Sequence, residues 1–286
     1  MQRPAEVATG TRWQWLTERC PVLGVFIAAI AFASALHAGT FDDAAAASKR
    51  GDYAAAVRIY LPLAKAGMPV AQYNLAVMYS KGLGMPQDHA EAMTWYRKAA
   101  DQGLAAARYA LGVVYGKGQG VLQDYTMATK WFRSAAEQGY CAAQYNLGAN
   151  YYKGRGVAQD YARAMKWFRL AADQGYAAAQ YGVGYMYFRG HGVPQDYSEA
   201  ARWFRTAAEH GNAEAKYGLG SMYQTGQGVP QDAVEALMWF DLAIPGLNSM
   251  QRDQAMQARE HAVSMMTPQQ IAEARKLARA WKPATQ

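Results

Sequence analysis

The sequence is poor in cysteine and has no hydrophobic run as long as a membrane span. Only Cys20 and Cys141 are present, which excludes a small scaffold held together by several disulfides. Loss of the N-terminal segment that carries Cys20 leaves Cys141 without a partner, so we expect no intramolecular disulfide. Hydrophobic residues make up 51% of the chain, which excludes a disordered polymer. The net charge of +7 weakly favours acidic partners, although charge at this level mostly serves solubility.

The first 38 residues have the pattern of a targeting segment. Arg3, Arg12 and Arg19 precede an apolar run at residues 22–36. This run is shorter than the roughly 20 residues of a bilayer-spanning helix, which favours a signal peptide. Cleavage is predicted after Ala35 or Ala38, and an uncleaved N-terminal anchor is the alternative. In both cases we expect export to the periplasm or beyond, with membrane contact only through this segment.

Sequence motifs of catalysis and of cofactor binding are missing. The chain has no H-E-x-x-H, G-x-S-x-G or S-x-x-K motif, and its glycine spacing does not fit a phosphate-binding loop. The histidines after the targeting segment show no i,i+4 pairing, so we predict no metal site. They are His89, His191, His210 and His261. We therefore predict a non-enzyme with no catalytic residue, cofactor or metal.

A fixed period of 36 residues dominates the rest of the sequence. It is marked by glycine at Gly67, Gly103, Gly139, Gly175 and Gly211. Two tyrosine columns keep the same step, at Tyr73, Tyr109, Tyr145, Tyr181 and Tyr217, and at Tyr79, Tyr115, Tyr151, Tyr187 and Tyr223. A tryptophan column follows at Trp95, Trp131, Trp167, Trp203 and Trp239, each followed by an aromatic residue. Self-similarity at such a period indicates a repeat architecture.

Each repeat is predicted to contain two helices. Apolar residues four apart, such as Ala143, Leu147 and Tyr151, place one face of the first helix against a partner. A Gly-x-Gly loop ends this helix, and an aspartate begins the second as its N-cap. These aspartates are Asp88, Asp124, Asp160, Asp196 and Asp232. Glycine inside the first helix, as at Gly112 and Gly148, requires close approach of the second helix, and we expect the tryptophan to cover it.

The pattern resembles the Sel-1-like repeat family, a relative of the tetratricopeptide repeats. The matching text is A-x-Y-x-L-G-x-x-Y, then G-x-G-V-x-Q-D, then A-x-x-W-F/Y-R-x-A-A-[DE]-Q-G. The resemblance implies an all-α, right-handed superhelical solenoid of antiparallel helix pairs. We place repeats 1 to 5 at residues 67–102, 103–138, 139–174, 175–210 and 211–246. Residues 39–66 form an atypical N-terminal helix pair, and residues 247–286 form capping helices, the last beginning at Thr267.

The regular spacing of most aromatic and charged columns favours a role in the structure of the repeats over a role in binding. The fixed positions of tyrosine and tryptophan favour core packing over stacking on a sugar or a nucleic acid, and no nucleic-acid partner is predicted. A column of arginines has an acidic residue four positions later, the spacing of an ion pair on a helix. It contains Arg97, Arg133, Arg169 and Arg205. A second basic column, Lys81, Lys117, Lys153 and Arg189, lacks such a partner and is the better candidate for contact with an acidic surface.

Positions that vary between repeats are the candidates for partner binding. Two columns on the first helix lie three residues apart, and in tetratricopeptide-like solenoids this helix lines the groove. From them we select Val113, Tyr152, Tyr185, Phe188 and Gln224, with ordinary packing between repeats as the competing interpretation. The resemblance implies a scaffold or adaptor of the bacterial envelope that holds a protein or peptide in this groove. The alternatives are a cell-wall ligand binder or hydrolase and a structural spacer.

Overall fold

Consecutive α-helices make up the part of the chain that the structure, a computed structural model, describes, which is residues 38–283. The helices are α1 (Ala38–Lys49), α2 (Tyr53–Lys65), α3 (Pro69–Lys81), α4 (His89–Asp101), α5 (Ala105–Lys117), α6 (Tyr125–Ala136), α7 (Cys141–Lys153), α8 (Tyr161–Ala172), α9 (Ala177–Arg189), α10 (Tyr197–Glu209), α11 (Ala213–Thr225), α12 (Ala233–Ala243), α13 (Ser249–Ser264) and α14 (Pro268–Ala280). A short 3-10 helix, Ile244–Gly246, follows α12. The predicted targeting segment lies outside the described residues. None of the described helices has the length and apolarity to cross a bilayer.

The described residues form two compact units, one ending at Gln159 and the other beginning at Asp160. The N-terminal unit contains α1 to α7 and the C-terminal unit contains α8 to α14. Within each unit, each helix packs against the next one along the chain, most extensively where both belong to one repeat, except that α14 packs against α12 instead of α13. The predicted all-α fold of consecutive packed helix pairs is confirmed.

Helix boundaries follow from capping residues that recur in every repeat. Asp88 precedes α4 in an extended conformation, and its carboxylate accepts hydrogen bonds from the backbone N–H groups of Ala90 and Glu91. The equivalent aspartates Asp124, Asp160, Asp196 and Asp232 cap their helices in the same way. Each first helix ends at a glycine with a positive φ, such as Gly82 at 66°. These caps satisfy backbone groups that helix ends leave unpaired, and the predicted N-cap column is confirmed.

The 36-residue register continues beyond the recognisable motif at both ends. Helix α2 begins 36 residues before α4, and α13 begins 36 residues after α11. The last helix, α14, begins after Thr267 as predicted, and Thr267 forms a capping box with Gln270. It packs against α12, where the Trp281 ring meets the edge of Trp239 with ring centroids 6.0 Å apart. The terminal helices therefore keep the spacing of the repeats while their surfaces differ.

Aromatic rings fill the space left by glycines inside the first helices. A Cβ atom added at Gly112 would lie 2.5 Å from the Phe132 ring, and at Gly220 it would lie 2.6 Å from the Phe240 ring. The close approach of the two helices is therefore confirmed. The residue that covers the glycine was predicted wrongly, because it is the phenylalanine after the tryptophan and not the tryptophan itself.

The tryptophan column is less buried than its regular spacing predicts. Trp95 and Trp239 are 8% and 2% exposed, whereas Trp131, Trp167 and Trp203 are only half-buried. The following phenylalanines, Phe132, Phe168, Phe204 and Phe240, are all buried. The interpretation of tryptophan as core therefore holds at both ends of the column. The middle tryptophans are only partly buried, although Trp131 still packs against the core of its unit.

The predicted ion pairs of the arginine column are absent from the described residues. Instead, each arginine donates a hydrogen bond to a tyrosine on the first helix of the next repeat, 18 residues later. The donor–acceptor distances are 2.7 Å for Arg97 to Tyr115, 3.0 Å for Arg133 to Tyr151 and 2.5 Å for Arg169 to Tyr187, and Arg205 donates to Tyr223. The prediction fails because a long side chain reaches the neighbouring repeat as easily as the next turn of its own helix.

Cys141 is buried at the start of α7 and is disulfide-bonded. The other cysteine, Cys20, lies outside the described residues, and our expectation of no intramolecular disulfide, which concerns the chain without its N-terminal segment, stays a prediction.

Candidate partner-binding face

Each first helix turns one side toward its neighbours and leaves the opposite side more open. In α3, Leu75 and Met78 are completely buried, whereas Tyr73 is half-buried and Lys81 is exposed. Residues 73, 77 and 81 are four apart and lie along one side of the helix, although Val77 itself is buried. We call this side, together with the equivalent positions of the other repeats, the first-helix face.

Three rows of side chains make up the first-helix face. The tyrosine row contains Tyr73, Tyr109, Tyr145, Tyr181 and Tyr217. The variable row contains Val77, Val113, Ala149, Tyr185 and Ser221. The basic row contains Lys81, Lys117, Lys153 and Arg189, with Thr225 at the same position of repeat 5. All members of the basic row except this threonine are cationic, and all five residues are the last of their helices.

Two of the predicted binding residues, Val113 and Tyr185, belong to the variable row. Both are half-buried, in α5 and α9 respectively. The Tyr185 ring lies 6.0 Å from the ring of Tyr181, which precedes it by one turn on the same helix. The structure thus places aliphatic and aromatic side chains at one position of the face in different repeats, and their contact with a partner stays a prediction.

The other predicted residues, Tyr152, Phe188 and Gln224, lie three positions further along their helices. Phe188 packs against the second helix of its own repeat, with its ring 5.3 Å from Tyr197 and 6.3 Å from Phe204. Gln224 donates a hydrogen bond of 3.5 Å to the carbonyl oxygen of Ala258 in α13. Tyr152 is half-buried in α7. Packing contacts therefore occupy part of Phe188 and Gln224, and a role of the three residues in binding stays a prediction.

The charged side chains of the first helices of repeats 1 to 4 are all of one sign. Helices α3, α5, α7 and α9 contain no aspartate or glutamate, and each ends in lysine or arginine. A cation at this end also interacts favourably with the helix dipole. The capping aspartates that follow are engaged by backbone N–H groups of the second helices. The face is therefore basic without acidic side chains of its own helices to balance it.

The C-terminal helix α14 covers part of repeat 5. The ammonium group of Lys216 lies 4.4 Å from the centre of the Trp281 ring. Burial lowers the pKa of Lys216, because the charged form loses contact with water. A depression between α12 and α14 is lined by Asp241, Leu242, Arg275, Ala278 and Arg279. Within residues 38–283, no group of three or more His, Cys, Asp or Glu side chains is arranged to hold a metal ion.

Comparison with known families decides how this arrangement is classified. The Sel1 repeat matches residues 69–104, 105–140, 141–176, 177–212 and 213–244, which is more than half of the chain. The chain belongs to the Sel1 repeat family. Sel1 repeat proteins are generally scaffolds for protein interactions. A comparison with curated protein sequences finds no significant match.

Solved structures of Sel1 repeat proteins share this fold. A Sel1 repeat protein from Oxalobacter formigenes is 29% identical, with a TM-score of 0.73 over 86% of this chain and 98% of that one. The protein c5321, a protective antigen present in uropathogenic Escherichia coli strains, displays an SLR fold and is also 29% identical. Its TM-score is 0.53, over 80% of this chain and 56% of that one, so this chain spans little more than half of c5321.

Proposed function

We propose that this Sel1 repeat protein is a non-enzymatic adaptor of the bacterial envelope that holds a protein or peptide partner on its first-helix face. The observation that carries the proposal is the contrast between columns that repeat the same residue and the variable row, which does not. Residues that build the repeats recur at every step, whereas the partly exposed members of the variable row change from Val113 to Tyr185 and Ser221. Variation on the open side of a repeated framework is typical of a recognition surface, because the framework leaves that side free to differ.

Export supports the envelope part of the proposal. The basic N-terminal residues, the apolar run at 22–36 and the small residues that follow it form the pattern of a signal peptide. A fusion of the full chain to alkaline phosphatase tests export, because this enzyme becomes active only outside the cytoplasm. Full activity in the fusion and its loss after deletion of residues 22–36 are expected. An inactive full-length fusion contradicts an envelope location.

A cross-linked pull-down tests the adaptor function. The tagged full-length chain is compared with a face variant, Val113→Asp/Tyr185→Ser, in an envelope extract. The control variant is Leu170→Ser, which changes an apolar residue, 39% exposed, on the second helix of repeat 3. All three proteins are first checked for equal helicity and equal melting temperature.

A protein captured by the wild type and the control, and lost from the face variant, supports the proposal. Capture of cell-wall fragments by the wild type contradicts it in favour of a cell-wall ligand binder. Capture of nothing beyond what a tagged unrelated protein retains indicates a structural spacer. Equal capture by all three chains contradicts the first-helix face as the binding surface.

A further inference from the structure

Two arginines on the second helices of the C-terminal unit are held by tyrosine and not by a carboxylate. Arg169 of α8 donates a hydrogen bond to the Tyr187 hydroxyl of α9, and Arg205 of α10 donates to the Tyr223 hydroxyl of α11. Both arginines are exposed. Neither forms an ion pair with any residue that the structure describes. Their positive charge therefore stays at the surface, in a position that the tyrosines fix.

The acidic residues of the same helices do not contact these arginines. Asp173 and Glu209 follow the arginines by four positions, yet within residues 38–283 they form no ion pair with them. Glu199, earlier on α10, is paired with Arg202 instead. A guanidinium has several N–H donors, and the bond to tyrosine uses one of them. Each arginine can therefore bind an oxygen ligand from outside the chain without leaving its tyrosine.

The tyrosines add a second donor to each pair. The hydroxyls of Tyr187 and Tyr223 accept from arginine, and no described side chain or carbonyl accepts a hydrogen bond from them. A phenol that accepts one hydrogen bond still has its own O–H to donate. The guanidinium carbon also lies over the tyrosine ring, 5.9 Å from the ring centre at Tyr187 and 6.0 Å at Tyr223. Each pair thus presents N–H and O–H donors together while the arginine covers the ring.

The last pair of this series shows which chemical group complements an arginine at this contact. One repeat after Arg205 and Tyr223, the equivalent residues are Asp241 and Arg259, which form an ion pair. The chain itself supplies a carboxylate there, and the pair is largely shielded from water, since the Arg259 and Asp241 side chains are 30% and 21% exposed. The two preceding arginines have no such carboxylate and are the more exposed.

We propose that the pairs Arg169–Tyr187 and Arg205–Tyr223 bind carboxylates of an acidic segment of a partner protein. The planar guanidinium matches the geometry of a carboxylate. A nucleic acid is disfavoured, because base stacking requires open aromatic faces and these rings are covered. The pairs lie on a different side of the first helices from the first-helix face, since Tyr187 follows Tyr185 by two positions, about 200° around the helix. The inference therefore goes beyond the proposed adaptor function and adds a second site of contact.

Fluorescence anisotropy with the full-length chain tests this second site. The main probe is labelled polyglutamate, and the comparison probes are a neutral glycine–serine peptide and a single-stranded oligothymidine. The arginine variant is Arg169→Gln/Arg205→Gln. The matched control is Lys166→Gln/Arg202→Gln, which removes the same charge from exposed residues three positions earlier on the same two helices. All chains are compared at a temperature at which circular dichroism shows them equally folded.

Wild type and control are expected to bind polyglutamate alike and the neutral peptide far more weakly. The arginine variant is expected to bind polyglutamate about tenfold more weakly than wild type. Equal losses in the arginine variant and the control overturn the inference, because net charge alone then explains binding. Tighter binding of oligothymidine than of polyglutamate by the wild type also overturns it.

A second variant separates the pairs from the charge of their arginines. Tyr187→Phe/Tyr223→Phe keeps both guanidinium groups and both rings but removes the hydroxyls that orient and supplement them. Its affinity for polyglutamate is expected to fall about threefold, with the charge unchanged. An affinity equal to that of the wild type overturns the arginine–tyrosine pair as the binding unit.

Discussion

The carboxylate of Asp241 accepts a hydrogen bond from the guanidinium of Arg259, with Nε and Oδ1 2.5 Å apart. These residues lie one 36-residue step after Arg205 and Tyr223, which are hydrogen-bonded to each other. The C-terminal cap therefore keeps the contact between successive repeats at the same two positions, but the charged donor and the acceptor have changed places. The cation moves from the second helix to the first helix of the following repeat.

We expect that substitution can convert the Asp241–Arg259 pair into an arginine–tyrosine pair like that of the internal repeats. Asp241→Arg alone places two guanidinium groups together and is expected to lower the free energy of unfolding by about 1–3 kcal/mol. Adding Arg259→Tyr recreates the Arg205–Tyr223 arrangement and is expected to recover most of that loss. Urea unfolding of the wild type, both single variants and the double variant measures the coupling. Additive effects of the two substitutions contradict the equivalence of the two positions.

The arginine column is expected to stabilise the chain through tyrosine rather than through acidic residues. Tyr151→Phe removes the hydroxyl that accepts from Arg133 and is expected to cost about 0.5–1.5 kcal/mol of unfolding free energy. Glu137→Gln removes the charge that the helix spacing pairs with Arg133 and is expected to change stability by less than about 0.5 kcal/mol. Thermal or urea unfolding of the Tyr151→Phe and Glu137→Gln variants measures the two changes in stability. A larger loss for Glu137→Gln contradicts the hydrogen-bonded ladder.

Sequence periodicity predicts the helices better than it predicts what their side chains contact. The caps at Asp88 and its equivalents, and the glycine ends, follow from local chemistry and are confirmed. The partner of Arg133 and the ring that covers Gly112 depend on the distance between helices, which spacing along the chain does not contain. The 36-residue period shows on which side of its own helix a residue lies. Which side chain of another helix it contacts depends on how the helices pack.

For the candidate face, too, the sequence predicts which residues share a side of the helix but not what they contact. The sequence singles out the variable row, including Val113 and Tyr185, and also the basic row. It groups Phe188 with them because position 188 lies one turn from 185. The structure places Phe188 against Tyr197 and Phe204, a contact that depends on the angle between α9 and α10. The absence of acidic residues from the first helices α3, α5, α7 and α9 is visible in the sequence alone.

Gly112 is expected to tolerate no side chain, because the Phe132 ring occupies the place of its Cβ atom. Gly112→Leu is expected to lower the free energy of unfolding by about 2–3 kcal/mol through overpacking. The matched control is Gly116→Ala on the same helix, where a new Cβ atom would meet Ala128 at 3.6 Å, an ordinary contact. This control is expected to be neutral or to stabilise by up to about 1 kcal/mol. Similar melting temperatures for Gly112→Leu and wild type contradict the packing.

Stability is expected to fall at high pH because two tyrosines are buried. Burial raises the pKa of Tyr60 and of Tyr96 from 10.0 to about 12. The folded state therefore keeps these protons at a pH where the unfolded chain releases them. Their contribution is fully present below pH 10 and is lost as pH rises toward 12.

Urea unfolding at a series of pH values between 8.5 and 11.5 measures this loss. Tyr60→Phe removes one of the two protons, so its unfolding free energy is expected to fall less steeply with pH than that of the wild type. The slope is compared rather than the absolute value, since the substitution also removes a hydroxyl. An unchanged slope contradicts the burial effect at Tyr60.

A buried polar pair joins repeats 2 and 3 where other repeats use apolar side chains. Asn150 donates to the hydroxyl of Thr129 at 2.8 Å, and that hydroxyl donates to the carbonyl oxygen of Arg155 at 3.2 Å. The equivalent residues one repeat later are Met165 and Met186, both buried. Because a buried amide that loses its partner is costly, Thr129→Val is expected to lower the free energy of unfolding by about 1–3 kcal/mol.

Replacing both members of this pair is expected to cost less than replacing one. Thr129→Met/Asn150→Met introduces the methionines found at the equivalent positions of repeats 3 and 4 and leaves no amide unpaired, so stability near or above that of the wild type is expected. Chemical unfolding of the wild type, Thr129→Met, Asn150→Met and the double variant gives the coupling energy directly. A double variant less stable than Thr129→Val contradicts the exchange. It would show that the space between α6 and α7 is shaped for the polar pair and does not accept the two methionines.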